Sequence, residues 1–280
     1  MQLGSELQTQ STRTFLFADK SSIYMNVHVT YPEIAHGIAA SIEQAIAPLL
    51  GTPQARNLST SRGGRKTSYI DVIAEEAAIS YLSRKHGSFH LVTEESRSLG
   101  EGDIKVILDP LDGTNNALLG IPFYSVSVAI WGEKKYGMVK NLTTRDVYEA
   151  FSDGNSLKNG IPIHPHCPFS ISAGYIGEGY EKVLPLCDSW RCYGSLALEL
   201  CYVAEGSLRS LVDLRKKARV VDVAGAQIIA ENAGLTVTDE RGNPPFEGRF
   251  FDAEGNFTGK IIIAALPAFH TEILNALREK

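Results

Sequence analysis

Asp109-Pro110-Leu111-Asp112-Gly113-Thr114 follows the apolar run Ile104-Lys105-Val106-Ile107-Leu108 and sets two carboxylates three residues apart around a turn. Pro110 stiffens the chain there, and Gly113 admits another backbone at close range. Two carboxylates fixed at that separation repel each other unless a cation sits between them. With oxygen ligands alone and no His or Cys beside them, that cation is a hard ion, Mg²⁺ rather than Zn²⁺. The hexapeptide also reads more simply, as the turn dipeptides D-P and D-G. Three other acidic positions carry the same ambiguity. Asp71 falls three residues after Ser68, as a capping-box partner would. Glu94-Glu95 reads equally as a solvated loop pair, and Asp222 as an acid complementing a helix dipole.

The elements that must position these residues follow from periodicity. Thr30-Tyr31-Pro32-Glu33 carries a cap, an early proline and a box acid, and Ile34, Ile38, Ile42, Ile46 and Leu49 follow at helical spacing. The first thirty residues show no clear period and read as an arm or an early strand. Gly51 to Arg65 is a polar loop, long enough between two helices to suggest a mobile or functional element. A second helix is expected over Ser68 to His86. Strands are expected over 89–92, 104–108, 124–131, 136–142 and 147–151, with an Asn159-Gly160 turn after them. Pro162, Pro165 and Pro168 then mark a change of pattern, which places a domain boundary near residue 165. Beyond it, strands are expected at 170–173, 208–214, 235–238 and 260–264. Helices are expected over 195–204, from Asp222 to Asn232, and from Pro267 to near Lys280. There is no internal repeat and no low-complexity segment.

Composition narrows the function classes. The 280 residues are 44% hydrophobic and 21% charged, with a net charge of -5. That balance gives no support to a nucleic-acid scaffold, which needs clustered Lys and Arg. No stretch reaches the ~20 apolar residues of a membrane span. The patch Phe15-Leu16-Phe17-Ala18 is shorter than the roughly 7–15 residues of a secretory core, so a cytoplasmic protein is expected. Cys167, Cys187, Cys192 and Cys201 form no zinc pattern and read as buried, reduced thiols. Asp252-Ala253-Glu254-Gly255-Asn256 alternates oxygens, but its Gly stands at the fourth position rather than the sixth of a calcium loop. Gly63-Gly64-Arg65-Lys66-Thr67 lacks the apolar strand that precedes a nucleotide-binding loop.

Three segments in order, Thr93-Glu94-Glu95-Ser96, Asp109 to Asn116 and Val221-Asp222-Val223-Ala224-Gly225-Ala226, resemble the signatures of the inositol monophosphatase superfamily. Those signatures are an acid-acid-Ser step, D-P-[IL]-D-G-T-x-N and W-D-x-A-[AG]. The likeness runs from about residue 33 to 275. Through Tyr69 to Glu75 and Gly194 to Cys201 it is nearest to members that hydrolyse both inositol monophosphate and fructose 1,6-bisphosphate. It implies an α+β fold, a layered αβαβα sugar-phosphatase sandwich. An antiparallel sheet would lie in the N-terminal half (1–165, with most metal ligands). A mixed sheet would lie in the C-terminal half (166–280, with Asp222 and the substrate side). It implies Mg²⁺, two or three ions per site, a small phosphorylated metabolite as substrate, and a homodimer.

By the same resemblance, Glu94, Asp109 and the Leu111 carbonyl hold one ion. Asp109, Asp112 and Asp222 hold a second, with Asp109 bridging. Thr114 with Asp71 orients and deprotonates a water for in-line attack, without a phospho-enzyme. Gly113 and Thr114 open a helix whose N–H groups face the phosphate. Gly194 and Ser195 match a segment that touches sugar hydroxyls. Asp213 and Arg215 lie near the family's hydroxyl-binding acid, and Arg191 is a candidate for a second phosphate. Two departures, Asn115-Asn116-Ala117 without the usual aromatic and Val221 in place of Trp, bear on substrate fit. The alternatives are a 3′-phosphoadenosine 5′-phosphate or NADP phosphatase of the same superfamily, and a non-catalytic phospho-sugar-binding relative.

Overall fold

The computed structural model describes residues 30–85, 88–246 and 250–279, so the arm or early strand expected before Thr30 lies outside the described residues. Helix α1 (Tyr31–Ile46) starts as its sequence dictates. Glu33 N–H donates to Thr30 Oγ1 at 3.4 Å, and Thr30 N–H donates to Glu33 Oε2 at 2.7 Å. Its four isoleucines are buried, while Leu49 falls past the helix end. The segment from Gly51 to Arg65 differs from the open loop expected of it. Thr52 accepts from Ala55 N–H to cap a 3₁₀ turn (Pro53–Arg56), and β1 (Leu58–Thr60) pairs with β2 (Lys66–Ser68) in a hairpin. Helix α2 (Tyr69–Lys85) leaves directly from β2.

The first large sheet is built from β3 (His90–Thr93), β4 (Arg97–Leu99), β5 (Lys105–Asp112), β6 (Ser125–Trp131), β7 (Lys135–Asn141), β8 (Val147–Phe151), β9 (Leu157–Lys158) and β10 (Ile161–Pro162). A short helix, α3 (Thr114–Leu119), separates β5 from β6. The order across the sheet is β10-β9-β8-β7-β6-β5-β3-β4, and every pairing is antiparallel except β3 with β5. The Asn-Gly turn closes β9 onto β10, with Asn159 at φ 52 and Gly160 at φ 78.

Strand β5 continues four residues past Leu108, where the apolar run stops. Asp109 pairs with Ser127 but Asp112 pairs with Ser125, so β5 carries one extra residue and the register shifts. Pro110 has no N–H to give the ladder, and a bulge is where a sheet tolerates that. The two acids therefore sit on a bulged strand rather than on a turn beyond it.

The second sheet uses β11 (Ile171–Tyr175), β12 (Ser189–Arg191), β13 (Ser210–Ala218), β14 (Thr236–Thr238) and β15 (Lys260–Ala265), in the order β12-β11-β13-β15-β14. The pairs of β11 are parallel and those of β15 antiparallel. Helices α4 (Tyr180–Val183), α5 (Leu196–Ala204), α6 (Val220–Asn232) and α7 (Pro267–Arg278) complete the elements. Helices α1 and α2 pack on one face of the first sheet, α5 and α6 lie between the sheets, and α4 and α7 cover the far face of the second. That is the αβαβα layering. Helix α6 comes close because its own Gly225 faces Gly137 of β7. A Cβ on Gly225 would stand 2.7 Å from the Val128 carbonyl oxygen, and one on Gly137 would stand 2.2 Å from the Gly225 carbonyl. This contact brings the first turn of α6 to the bulge of β5.

Candidate metal centre

Glu94 lies in the turn between β3 and β4, Asp109 on the β5 bulge, and Asp222 in the first turn of α6. Each offers a carboxylate oxygen, and the three oxygens lie within 4.8 Å of one another. Asp109 and Asp222 are buried. Asp109 Oδ1 accepts from Leu111 N–H at 3.1 Å, which fixes its orientation across Pro110. Asp112 is turned toward α5: its Oδ2 accepts from Ser195 Oγ at 2.6 Å and from Ala197 N–H at 2.8 Å. Thr114 Oγ1 lies 2.7 Å from Asp71 Oδ1 and 3.0 Å from the Leu111 carbonyl oxygen. Ser68 Oγ and Thr67 Oγ1 donate to the other oxygen of Asp71, at 2.6 and 3.0 Å. Ser68, the expected box partner, meets Asp71 through its hydroxyl rather than its backbone N–H, so the pair is a side-chain contact that orients the carboxylate.

The acidic turn is braced from behind. The buried carboxylate of Glu75 accepts from Glu95 N–H, Ser96 N–H and Ser96 Oγ, at 3.2, 3.0 and 2.6 Å. The β1–β2 hairpin grips it from the side, with Arg65 Nη1 donating to the Glu94 carbonyl at 2.8 Å. Glu95, read as half of a solvated pair, is buried instead. Burial, with Glu94 adding to it, pushes its carboxyl up to about 7.

Electrostatics show how tightly the acids are gathered. Burial, then the charges of Glu94, Asp112 and Asp222, holds the Asp109 carboxyl well above the usual carboxylate range. Burial lifts Asp112 to about 7 against the bond from Ser195, and it lifts Asp222 against the pull of Arg219. One cation stands among them. Arg219 Nη1 donates to Glu94 Oε1 at 2.5 Å, Nη2 to Asp222 Oδ1 at 2.6 Å and Nε to Asp222 Oδ2 at 3.1 Å. Its backbone N–H also donates to Asp222 Oδ2 at 2.8 Å, so Asp222 caps α6 as its sequence position suggested and joins the cluster as well. Sequence reasoning missed Arg219. Its only sequence signal is a cation three residues before a first-turn acid.

Residues 29–280 match the model of the inositol monophosphatase family. A fructose-1,6-bisphosphatase/inositol-1-monophosphatase of Archaeoglobus fulgidus is 35% identical over 252 residues, covering 88% of this chain and 97% of the relative. A bifunctional NADP phosphatase/NAD kinase of Methanocaldococcus jannaschii is 32% identical, covering 76% of this chain and 45% of that longer protein. Among solved structures, a Pyrococcus horikoshii protein described as similar to inositol-1 monophosphatase superposes with a TM-score of 0.75 at 30% identity, covering 89% of this chain and 98% of that one. The chain belongs to the inositol monophosphatase family.

In this family member the substrate-side residues divide. A cleft of about 630 Å³ opens beside the acids and is lined by Asp112, Gly194, Arg215 and Arg219, among others. Gly194, at φ +89, donates its N–H to the Tyr175 hydroxyl at 3.1 Å, and a Cβ there would press on Asn116 at 3.1 Å. Asn116 Nδ2 in turn donates to the Phe123 and Tyr193 carbonyls at 2.7 and 2.6 Å, tying α3 to this segment. Ser195 is buried on Asp112, where it also caps α5 by accepting from Leu198 N–H. Asp213 is buried and holds the Arg215 guanidinium through two bonds of 2.9 and 2.7 Å and its backbone N–H through a third of 3.0 Å, while the guanidinium lies 3.7 Å from the Tyr175 ring centroid. Arg191 does not line the cleft; it is exposed, its Nη1 on Ser189 Oγ at 2.6 Å and the Trp190 carbonyl at 2.9 Å. Lys216 and Lys217, which the sequence did not single out, do line it, because β13 runs four residues past Leu214.

The remaining expectations resolve locally. Val221 is buried in the core between the sheets, and Ala117 in the core beneath α1 and α2. The 252–256 loop is a turn in which Asp252 Oδ1 accepts from Glu254 and Asn256 N–H groups, leaving it no calcium-loop geometry. Buried cysteines are found only at Cys187 and Cys201; Cys192 is exposed and Cys167 half-buried, and all four are free. Cys192 falls between the end of β12 and the cap of α5, outside any apolar stripe. No helix among the described residues is long and apolar enough to cross a membrane.

Proposed function

We propose that this chain is a Mg²⁺-dependent phosphomonoesterase acting on inositol monophosphate and fructose 1,6-bisphosphate. The observation that carries the reading is the convergence of Glu94, Asp109 and Asp222 within 4.8 Å, beside the hydrogen-bonded pair Thr114–Asp71. The donor set fits a hard divalent ion, because it is all oxygen, largely buried and too acidic to stand without cations. Glu94, Asp109, the Leu111 carbonyl, Asp112 and Asp222 would hold two or three such ions. Bound there, the ions supply charge neutralisation for the phosphate and a more acidic water.

The chain's own groups do the rest. Asp71 takes a proton through Thr114 Oγ1, and its two bonds from Ser68 and Thr67 keep it oriented to do so. Asp71 is raised above the usual carboxylate range by burial, which brings its basicity toward neutral pH. Gly113 caps α3 at φ 94, and no side chain takes the first N–H groups of that helix, so they remain for phosphate oxygens. Arg215, fixed by Asp213 and Tyr175, presents a preorganised cation to the rest of the substrate. The same reading includes a homodimer, as the family likeness implies, a cytoplasmic location, and a division of the chain near residue 165, where Pro162, Pro165 and Pro168 interrupt the pattern.

A panel of inositol 1-phosphate, fructose 1,6-bisphosphate, 3′-phosphoadenosine 5′-phosphate and NADP, assayed for released phosphate at one Mg²⁺ concentration, tests the proposal. Turnover of the first two is expected, and only with the metal. A folded protein inactive on the whole panel sinks the reading, and faster release from NADP transfers it to the nucleotide relatives.

A further inference from the structure

We infer that Arg219 is a built-in counter-ion that occupies the place of a divalent cation in the metal-free protein and sets metal affinity by competing for Glu94 and Asp222. This rests on the metal reading of the site and goes beyond it. The guanidinium is not a bystander to the three converging acids. It bonds two of them at once, with Nη1 on Glu94 Oε1 at 2.5 Å and Nη2 on Asp222 Oδ1 at 2.6 Å. Those same carboxylates, with Asp109, make the only cluster of metal-ligating groups found among the described residues. Each oxygen so bonded commits a lone pair to Arg219, and a doubly charged ion placed among these acids would repel the guanidinium that already sits on two of them.

Three features make this a competition rather than a fixed support. Arg219 carries a permanent charge, so it cannot leave the site by losing a proton. Its side chain is 24% exposed and lines the cleft, so the guanidinium has a route away from Glu94 toward open space. Its reach is divided: it bonds Glu94 and Asp222 but has no bond to Asp109 or Asp112, which leaves the acids on the β5 bulge short of positive charge. One positive charge thus holds the pocket assembled, and a doubly charged ion neutralises it more completely. The other nearby cation, Arg65, bonds the Glu94 carbonyl and stands 4.0 Å from Glu95, so it is engaged on the far side of the acidic turn.

Isothermal titration of the full chain with Mg²⁺ alone, without substrate, decides the matter. Arg219→Met removes the competitor, and Mg²⁺ is expected to bind about tenfold tighter, the scale of the charge-assisted bonds no longer surrendered. The metal-free variant is expected to melt below wild type, and the rise in melting temperature on adding Mg²⁺ is expected to be larger. A purely supporting Arg219 gives the opposite sign, because Glu94 and Asp222 lose their alignment and Mg²⁺ binds more weakly. Unchanged or weaker binding therefore overturns the inference. If Arg219→Met does not fold without the ion, Arg219→Lys carries the measurement. Its single ammonium cannot span both carboxylates as the planar fork does, and about threefold tightening is expected; no tightening overturns the inference as well. Absence of any Mg²⁺ heat or thermal shift in wild type would instead sink the metal reading, a separate outcome.

Discussion

Asp109→Asn separates what the central acid does for the fold from what it does for the ion. Its oxygen lies within 4.8 Å of those of Glu94 and Asp222. At that distance and an effective dielectric near 20, each like-charged pair costs about 3.5 kcal/mol, so the two together oppose a charge on Asp109 by about 7 kcal/mol. The full amount is not recovered on neutralising it, because a buried carboxyl under such pressure keeps a proton for part of the time. Arg219 offsets a further part by screening both neighbours. A net gain of about 1–2 kcal/mol in the metal-free protein is the expectation, or roughly 2–4 °C in melting temperature for each kcal/mol at this chain length. The amide oxygen of Asn can still accept from Leu111 N–H, the 3.1 Å bond that orients the bulge, so no local cause of unfolding is introduced.

The metal-bound state should respond in the opposite way. Removing the carboxylate proposed to bridge the ions would take away one of the charges that favour a divalent ion. Differential scanning calorimetry with and without Mg²⁺, paired with phosphate release from inositol 1-phosphate, reads both effects. Hydrolysis is expected to fall roughly a thousandfold, about 4 kcal/mol in the barrier. The reasoning is refuted if Asp109→Asn melts lower than wild type without metal, since the acids would then not be repelling one another. It is equally refuted if Mg²⁺ stabilises the variant as much as it does wild type.

Three other outcomes follow from separate parts of the structure. Thr114→Val and Asp71→Asn should each lower kcat by about 10²–10³ with little change in KM, and the double variant should be scarcely worse than either, because one proton path runs through both; multiplicative losses in steady-state kinetics would mean independent roles. Gly225→Ala puts a Cβ at 2.7 Å from the Val128 carbonyl, so α6 must lift off the first sheet, costing about 1–3 kcal/mol in chemical denaturation; full stability would show that the sheet yields there. Burial pushes the Glu199 carboxyl up to about 8, against about 4.3 unfolded, so the folded chain alone keeps this proton between those values and stability falls as pH rises through the window. Glu199→Gln should remove up to about 1.4 kcal/mol per pH unit of that slope in urea titrations across the pH range, and a variant with the wild-type slope contradicts the assignment.

What was legible in the sequence was whatever local chemistry decides. Thr30 and Glu33 cap α1 through a three-residue exchange that needs no tertiary partner, and Asn159-Gly160 turns because both residues adopt positive φ. The order of the acidic motifs was legible too, since it is a property of the chain. Two misreadings share a cause: a polar residue was taken to end an element when a distant partner continued it. Asp109 to Asp112 read as a turn past Leu108, yet β6 accepts them across a bulge. Arg215 to Ala218 read as beyond the strand, yet β13 runs on to Ala218, with Ala218 opposite Lys260 of β15. Arg191 and Arg215 were both candidates for the substrate side. Only the buried Asp213 and the Tyr175 ring set Arg215 into the cleft, while Arg191 closes onto its own strand.

Arg219 was hidden for a stronger reason. Residues 219 and 222 make a plausible local pair by themselves, and nothing in their spacing points to Glu94, 125 residues away. The partner appears only when Gly225 and Gly137 let α6 settle onto the first sheet, which carries Asp222 and Arg219 together to the acidic turn. A small-residue contact between helix and sheet therefore sets the charge balance of the site. A substitution at Gly225 should change Mg²⁺ affinity as well as stability, although no atom of that residue reaches the acids. If Gly225→Ala lowered stability and left Mg²⁺ binding untouched in calorimetry, the position of α6 would not be what brings Asp222 to the cluster.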